Sequence, residues 1–127
     1  MGETLQTIRE RRSVKSYKPD MISEETLQKI VEAGTWAPSG MGRQSAIIVA
    51  VTNKELRDRL SRMNAKIMGT DMDPFYGAPV VLIVLADKTV PTHVYDGALV
   101  MENLMLAAQD LGIGSCWIHR AKEEFES

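Results

Sequence analysis

Three cationic side chains and one hydroxyl stand together near the start of the chain, in Arg11-Arg12-Ser13-Val14-Lys15. The guanidinium fork of arginine suits phosphate, and the ammonium of lysine suits a more diffuse negative charge. Because alternate residues of an extended segment point to the same side, Ser13 and Lys15 can contact one ligand together. The segment predicts an anion site, and the alternative is a solvated basic surface of the kind that most charge runs form.

Two glycine-containing segments can bring the backbone close to a flat ligand. The first is Ala37-Pro38-Ser39-Gly40-Met41-Gly42-Arg43-Gln44, in which the Gln44 amide can both donate and accept hydrogen bonds. The second is Gly112-Ile113-Gly114-Ser115-Cys116-Trp117-Ile118-His119. Taken singly, each segment is better explained as an ordinary connection beside a core strand. In the second segment, Trp117 would then simply be a buried core residue. Their presence together with the basic segment favours a ligand site.

Metal binding and cysteine chemistry are the other options for these residues. Cys116 and His119 have the spacing of half a zinc site, but a structural site takes four ligands, and His93 is the only other histidine or cysteine. Cys116 also falls in an apolar segment that we predict to be a strand, where a thiol is normally an inert core residue. We therefore predict neither a metal site nor a cysteine nucleophile.

Composition narrows the class of protein. The 127 residues suit one domain, which we place over residues 1–127, and 44% hydrophobic with 25% charged residues is typical of globular chains. A net charge of −2 disfavours a basic nucleic-acid binder. The single cysteine cannot form an internal disulfide and favours the reducing cytoplasm. The apolar run from Ala78 to Ala86 is too short to span a membrane.

Helical and extended patterns alternate along the chain, which predicts mixed α/β layers with a central sheet flanked by helices. Helices are predicted at Thr4–Arg11, after the cap residue Ser23 with a possible end at Gly34, at Lys54–Met68 after the cap residue Asn53, at Val94–Leu111, and from Lys122 to Ser127. Extended segments are predicted at Val14–Tyr17, Ala46–Val51, Val80–Leu85 and Ser115–His119, of which Ala46–Val51 and Val80–Leu85 read as buried strands.

The predicted helix over Val94–Leu111 is apolar on nearly all sides between Ala98 and Ala108. Such a helix must be covered on most of its surface. A chain of this length has few elements with which to cover it, so we expect a second copy of the chain to do so.

These segments, in this order, resemble the nitroreductase family of flavin-dependent oxidoreductases. The resemblance extends over essentially the whole chain and is carried by R-R-S-V-K-S-Y, A-P-S-G-M-G-R-Q, G-A-P-V-V-L-I-V, and D-G-A-L-V-M-E-N-L-M-L-A-A followed by G-I-G-S-C-W-I. It implies the α+β fold of that family, bound FMN and an intertwined homodimer with each flavin at the interface. It also implies ping-pong electron transfer from NADH or NADPH to nitroaromatics, quinones or related small molecules.

The resemblance assigns the basic segment to the flavin. Arg11 is implied as a ligand of the FMN phosphate, and Arg12 and Ser13 as contacts of the phosphate and ribityl region. Lys15 is implied to lie at the pyrimidine edge of the ring, where a positive charge stabilises the anionic reduced flavin.

The resemblance also assigns the two glycine-containing segments. Pro38, Ser39 and Gly40 match the loop that reaches the flavin of the other subunit, and Gln44 belongs to the same loop. The segment Trp117–His119 (Trp117, Ile118 and His119) matches a strand end beside the reactive centre of the ring, with a backbone N–H, that of His119 in our interpretation, near the flavin N5. A general-acid role for the His119 imidazole is the lesser alternative. The flavin carries the chemistry, so no side chain is assigned a covalent step.

The chain departs from the family pattern in two respects. Gly42 and Ser45 stand where many relatives have asparagine and proline, and members of the family continue well past Ser127. The chain therefore resembles the family without its C-terminal segment. Two alternatives to a reductase stay open: a flavin- or nucleotide-binding module without turnover, and a structural remnant whose apolar helix only dimerises.

Overall fold

A computed structural model describes residues 2–126. Within them, helices surround a small sheet, which confirms the α+β class. The elements in chain order are α1 (Glu3–Glu10), α2 (Glu24–Thr35), a 3-10 turn (Gly40–Gly42), β1 (Ala46–Val51), α3 (Lys54–Met68), β2 (Val81–Ala86), α4 (His93–Asp110) and α5 (Ala121–Glu126). The predicted residue Ser127 lies outside the described residues.

The ends of α2 and α3 are set by local interactions of residues near each end. The Ser23 hydroxyl accepts a hydrogen bond from the Thr26 N–H at 3.1 Å, and the Asn53 side chain accepts one from the Leu56 N–H at 2.9 Å. Both residues satisfy helix donors that have no partner within the helix. Gly69 ends α3 at a φ of +79°, a conformation that glycine adopts without strain. The predicted caps of α2 and α3 are thus confirmed.

Gly34 has a packing role in place of the possible helix end. The helix α2 continues to Thr35. A Cβ at residue 34 would lie 2.7 Å from side-chain carbons of both Ile48 and Leu104, so glycine is what allows α2, β1 and α4 to approach one another. This close contact lies at the edge of the main core, in which Ile30, Val100, Leu104 and Ala108 are buried.

The sheet has two antiparallel strands, with Ala46 opposite Ala86 and Val51 opposite Val81. One face packs on α2 and α4, and the other is covered near Val51 by side chains that include Leu60 and Phe75. At the far end of that second face, the paired residues Ile47 and Leu85 are exposed. Val49 and Ala50 are exposed as well, so the prediction of buried strands is wrong for half of β1 and for Leu85 in β2.

No third strand forms at Ser115–His119 in the described part of the chain. Ser115 makes one isolated parallel bridge with Ser13, and residues 116–120 are irregular or in a turn. The predicted extended segment Val14–Tyr17 is likewise reduced to this single contact. A strand requires a continuous backbone partner, and only the N–H of Val14 donates to the Ser115 carbonyl. An apolar run without such a partner cannot extend the ladder.

A charged turn fixes the connection between α3 and β2. The Asp73 carboxylate accepts hydrogen bonds from the side chains of Arg57 and Ser61 and from the N–H groups of Phe75 and Gly77. Partial burial raises its pKa, but these hydrogen bonds, led by that of Arg57, outweigh burial and lower it to about 2. The connection therefore has a defined shape in the absence of regular secondary structure.

We expect acid to remove the stabilisation that Asp73 provides. Because its pKa is lower in the folded state than in the unfolded state, the contribution is complete above about pH 4 and is lost as the pH falls towards 2. With solvent screening at this partly exposed site, it amounts to about 1–2 kcal/mol. Urea unfolding of wild type and Asp73→Asn at about pH 6 and about pH 2.5 measures it. A stability difference between them that is undiminished at about pH 2.5 would contradict the assignment.

Candidate functional site

Two of the three predicted ligand segments meet in the structure. Ser13 pairs with Ser115, and the Val14 N–H donates to the Ser115 carbonyl at 2.9 Å. The backbones are close, since a Cβ at Gly114 would lie 3.1 Å from the Val14 side chain. The cationic segment and the second glycine-containing segment therefore form one continuous surface.

The two arginines of the basic segment have different surroundings. Arg11 ends α1, and its Nε lies 3.7 Å from a carboxylate oxygen of Glu102 on α4. Arg12 donates to the carbonyls of Arg9 at 2.6 Å and Arg11 at 2.9 Å, so its guanidinium covers the C-terminal end of α1, where a cation is favoured. The motifs did not indicate this structural role of Arg12 at the end of α1. Lys15 is exposed.

The segment Trp117–His119 presents alternate residues to solvent and core. The Trp117 side chain is 55% exposed and meets the exposed His119 ring edge-on, with 5.4 Å between ring centroids. Ile118 points the other way and packs with Val51, Leu60 and Phe75. Among residues 2–126, the peptide N–H groups of this segment have no hydrogen-bond acceptor. The surface therefore offers aromatic rings and backbone donors side by side.

Cys116 does not lie in a strand, which corrects the prediction. It is half-buried, and its thiol lies 3.8 Å from the Trp117 carbonyl. Burial raises the pKa of the neighbouring Tyr17 to about 12, and the proximity of Cys116 and Tyr76 adds to that rise. The phenol is therefore neutral at ordinary pH. Among residues 2–126, no group of three or more histidine, cysteine or acidic residues is arranged to hold a metal ion.

We expect Cys116→Ser to keep any reductase activity within about an order of magnitude of wild type. In the described residues the thiol has no cationic or imidazole partner that would favour the thiolate, and a cysteine nucleophile requires such a partner. Steady-state rates of the flavin-loaded variant test this. Complete loss of activity in a folded, flavin-loaded variant would give the thiol a role that we do not assign to it.

The loop Pro38–Gln44 has an unusual backbone. Two of its non-glycine residues have positive φ, Met41 at 55° and Gln44 at 48°. The Ser39 hydroxyl accepts a hydrogen bond from the Gln44 N–H at 2.9 Å, and Pro38 is exposed. In the described part of the chain, no hydrogen bond or ion pair joins this loop to Arg11–Lys15 or to Gly112–His119. The structure therefore brings two predicted segments together and holds the third elsewhere.

Asp96, in the first turn of α4, is the residue that holds this loop. Its side chain is only 2% exposed and accepts hydrogen bonds from the Gly40 N–H at 2.9 Å, the Ser45 hydroxyl at 2.6 Å and the Thr92 hydroxyl at 3.0 Å. The Ser45 hydroxyl is the largest cause of a lowered pKa for Asp96, followed by the Gly40 N–H. The motifs did not single out Asp96. The available signal was an aspartate in the first turn of a helix that is apolar on nearly all sides between Ala98 and Ala108.

Two clefts form elsewhere on the molecule. One, of about 570 Å³, lies along α3, and the other, of about 310 Å³, lies between α1, α2 and α4. Neither is lined by a residue of the three predicted segments. The side chains of the two segments that meet, Arg11–Lys15 and Gly112–His119, are exposed or half-buried within one copy of the chain.

The sequence pattern of the Nitroreductase family matches residues 8–124. The chain belongs to the nitroreductase family. This nitroreductase-family chain is 33% identical over 123 residues to a protein of Archaeoglobus fulgidus that carries the name NADH dehydrogenase/NAD(P)H nitroreductase, and the match covers 93% of this chain. It is 30% identical over 129 residues to an NADPH-flavin oxidoreductase of Vibrio harveyi, again over 93% of this chain. The resemblance inferred from the four motifs is thereby confirmed.

Solved nitroreductase structures confirm the fold. A nitroreductase with bound FMN from Desulfitobacterium hafniense DCB-2 superposes with a TM-score of 0.88 at 34% identity, over 99% of this chain and 74% of that one. A nitroreductase with bound FMN from Bacteroides fragilis NCTC 9343 superposes with a TM-score of 0.87 at 34% identity, over 94% and 71% of the two chains.

The matched regions differ in how much of each relative they span. This nitroreductase-family chain covers 68% of the Archaeoglobus protein, 60% of a relative from Methanothermobacter thermautotrophicus and 54% of the Vibrio enzyme.

Among residues 2–126, no helix combines the length and apolar character needed to cross a membrane.

Proposed function

We propose that this protein is an FMN-dependent oxidoreductase that passes electrons from NADH or NADPH to nitroaromatics, quinones or similar small molecules by a ping-pong route. The observation that carries the proposal is the junction of Ser13 with Ser115, which places the cationic segment beside the exposed donors and rings of Trp117–His119. This chain matches FMN-bound nitroreductases at 34% identity over nearly its whole length.

The residues at this junction fit FMN by their chemistry. The flavin phosphate requires cations, which Arg11 and Arg12 supply, with the Ser13 hydroxyl as a further donor. Lys15, two residues further along, is suited to the pyrimidine edge of the ring. Gly114 keeps the two backbones close at the junction. When bound, FMN supplies the two-electron chemistry that no side chain here can provide.

The ring end of the site has a different task. We assign to the Trp117 ring and to the backbone of Ile118, whose side chain packs in the core, the packing beside the flavin. To the His119 N–H we assign a hydrogen bond near N5. Unsatisfied peptide donors are costly in a covered site, so they favour a ligand with acceptor atoms at this position. The protein's part is to hold the cofactor, align the nicotinamide and then the acceptor over the same face, and exclude water.

We further propose that the active form is a homodimer, located in the cytoplasm and built from one domain per chain. In the dimer, Pro38, Ser39, Gly40 and Gln44 of one copy contact the flavin held by the other. Two observations support this arrangement: the loop makes no polar contact with the basic segment of its own copy among the described residues, and α4 leaves Val94, Tyr95 and Leu99 exposed. A lone cysteine fits a reducing compartment.

The two alternatives make different predictions for the purified protein. A structural remnant would bind no flavin, and a non-catalytic module would bind FMN without turnover. The test is steady-state kinetics of the FMN-loaded protein with a quinone and a nitroaromatic, each at several concentrations of NADPH and of NADH. We expect turnover with at least one donor and parallel double-reciprocal lines. Tight FMN binding without turnover with any pair would favour the module.

A further inference from the structure

The loop Pro38–Gln44 is held in a shape that it would not adopt alone. Met41 and Gln44 have left-handed backbone angles that non-glycine residues disfavour, and Gly42 between them also has positive φ. Such conformations persist only where surrounding contacts determine them. The Met41 side chain contributes little to this, since it is 89% exposed. The loop therefore needs an anchor elsewhere.

The anchor lies in the first turn of α4. One oxygen of the Asp96 carboxylate accepts from the Gly40 N–H, at the beginning of the strained turn, and the other accepts from the hydroxyls of Ser45 and Thr92. These partners bracket the strained residues on both sides in sequence and tie them to the helix. Gly40 also packs tightly against Thr92. A Cβ at residue 40 would lie 2.3 Å from the Thr92 hydroxyl oxygen, so only glycine fits there.

We propose that Asp96 is a positioning residue that, through Gly40, Ser45 and Thr92, holds the loop Pro38–Gln44 in the one shape in which it can contact flavin. The inference rests on the proposed function for the identity of the ligand, but the hold on the loop is a property of this chain alone. Asp96 itself is buried beneath the loop contacts and does not touch the cofactor in this account.

The Asp96 carboxylate is suited to holding the loop because all three of its partners are hydrogen-bond donors and both of its oxygens are acceptors. Alanine at position 96 removes all three hydrogen bonds. Asparagine retains one acceptor oxygen, which can keep the Gly40 N–H, while its amide group can donate to a hydroxyl turned towards it. We therefore expect Asp96→Asn to recover part of what Asp96→Ala loses, which simple loss of a buried charge would not predict.

Trypsin provides a measure of loop shape without cofactor or turnover. Arg43 is exposed within the loop, and Arg62 is exposed on α3, so cleavage after each can be followed in one digest by mass spectrometry. We expect Asp96→Ala to speed cleavage after Arg43 about tenfold or more relative to cleavage after Arg62, and Asp96→Asn to give an intermediate ratio. Normalising to Arg62 removes the effect of global unfolding.

The second readout is the FMN dissociation constant of each variant, measured by flavin fluorescence. We expect a rise of about tenfold or more for Asp96→Ala and a smaller rise for Asp96→Asn. Asp73→Ala is the control variant, because it removes a carboxylate with four hydrogen bonds in the α3–β2 connection. Its partners Arg57 and Ser61 lie on α3 near Arg62, so this variant should speed cleavage after Arg62 and not raise the Arg43 to Arg62 ratio, and it should keep FMN affinity within about threefold.

The outcomes separate this inference from the proposed function. Selective cleavage after Arg43 together with weaker FMN binding supports the role of Asp96. An unchanged ratio, or an open loop with wild-type FMN affinity, overturns it. If Asp96→Ala does not fold, Ser45→Ala, which retains the carboxylate and loses one donor, should raise the ratio in the same direction. If wild type binds no FMN, the proposed function fails and the cleavage ratio alone decides whether Asp96 holds the loop.

Discussion

Arg11→Ala is expected to weaken FMN binding about ten- to hundredfold while leaving riboflavin binding nearly unchanged. A charge-assisted hydrogen bond to phosphate is worth about 1.5–3 kcal/mol, which corresponds to that range of affinity. Riboflavin lacks the phosphate, so it should bind wild type and variant almost equally. Titration of both flavins into both proteins, followed by fluorescence quenching, measures the two differences.

Two further variants isolate the cause of the Arg11 effect. Arg11→Lys should recover only part of the FMN affinity, because the planar fork is lost while the charge remains. Glu102→Gln removes the carboxylate beside Arg11 without removing Arg11, so it should leave FMN affinity unchanged or raise it a few fold. If Arg11→Ala weakens riboflavin binding as strongly as FMN binding, Arg11 supports the fold and does not read the phosphate.

Replacing both Tyr95 and Leu99 by glutamate is expected to weaken the proposed dimer more than a hundredfold. Their side chains are 72% and 43% exposed on α4 in the single chain. An apolar side chain of this size contributes about 1.5–3 kcal/mol when it is buried, and each protomer would contribute two. Sedimentation velocity at micromolar concentration should show wild-type dimers and double-variant monomers.

The control for the dimer experiment lies on α3. Leu56 and Met63 are 45% and 42% exposed, which matches Leu99, and they have no part in the proposed interface. Their double replacement by glutamate should leave the dimer intact. A soluble, stable wild-type monomer would contradict the account of α4, and equal dissociation by both double variants would place the interface over a wider surface than we propose.

Local chemistry accounts for the parts of the fold that could be predicted from the sequence. Helix ends are set within a few residues, here by the caps at Ser23 and Asn53 and by the left-handed Gly69. The observed bounds of α2 and α3 are therefore close to the predicted ones. The strand predicted at Val80–Leu85 is displaced by only one residue in β2. Helix α4, predicted at Val94–Leu111, begins and ends one residue earlier.

The remaining features depend on contacts between residues distant in the sequence. The apolar segment Ser115–His119 forms no strand because its only partner is the single residue Ser13. Asp96 could not be assigned from its neighbours, since Gly40 and Ser45 lie more than fifty residues before it. Hydropathy also predicted full burial for β1, although the exposure of Ile47 depends on what covers that end of the sheet.

The candidate site likewise has features that the sequence indicates and features that depend on packing between distant residues. The motifs identified the segments, and the structure brings Arg11–Lys15 and Gly112–His119 together. That both serve one ligand stays a prediction. The motifs did not indicate that Arg12 binds helix carbonyls or that Arg11 faces Glu102. Those contacts depend on where α1 ends relative to α4, which is a property of the packed structure.

The most direct test of the central claim is an anaerobic spectrum of the FMN-loaded protein during addition of NADPH and, separately, NADH. We expect at least one donor to bleach the visible flavin absorbance stoichiometrically. A quinone or nitroaromatic added afterwards should restore the oxidised spectrum. A protein that holds FMN and stays fully oxidised with both donors, or one that holds no FMN, would contradict it.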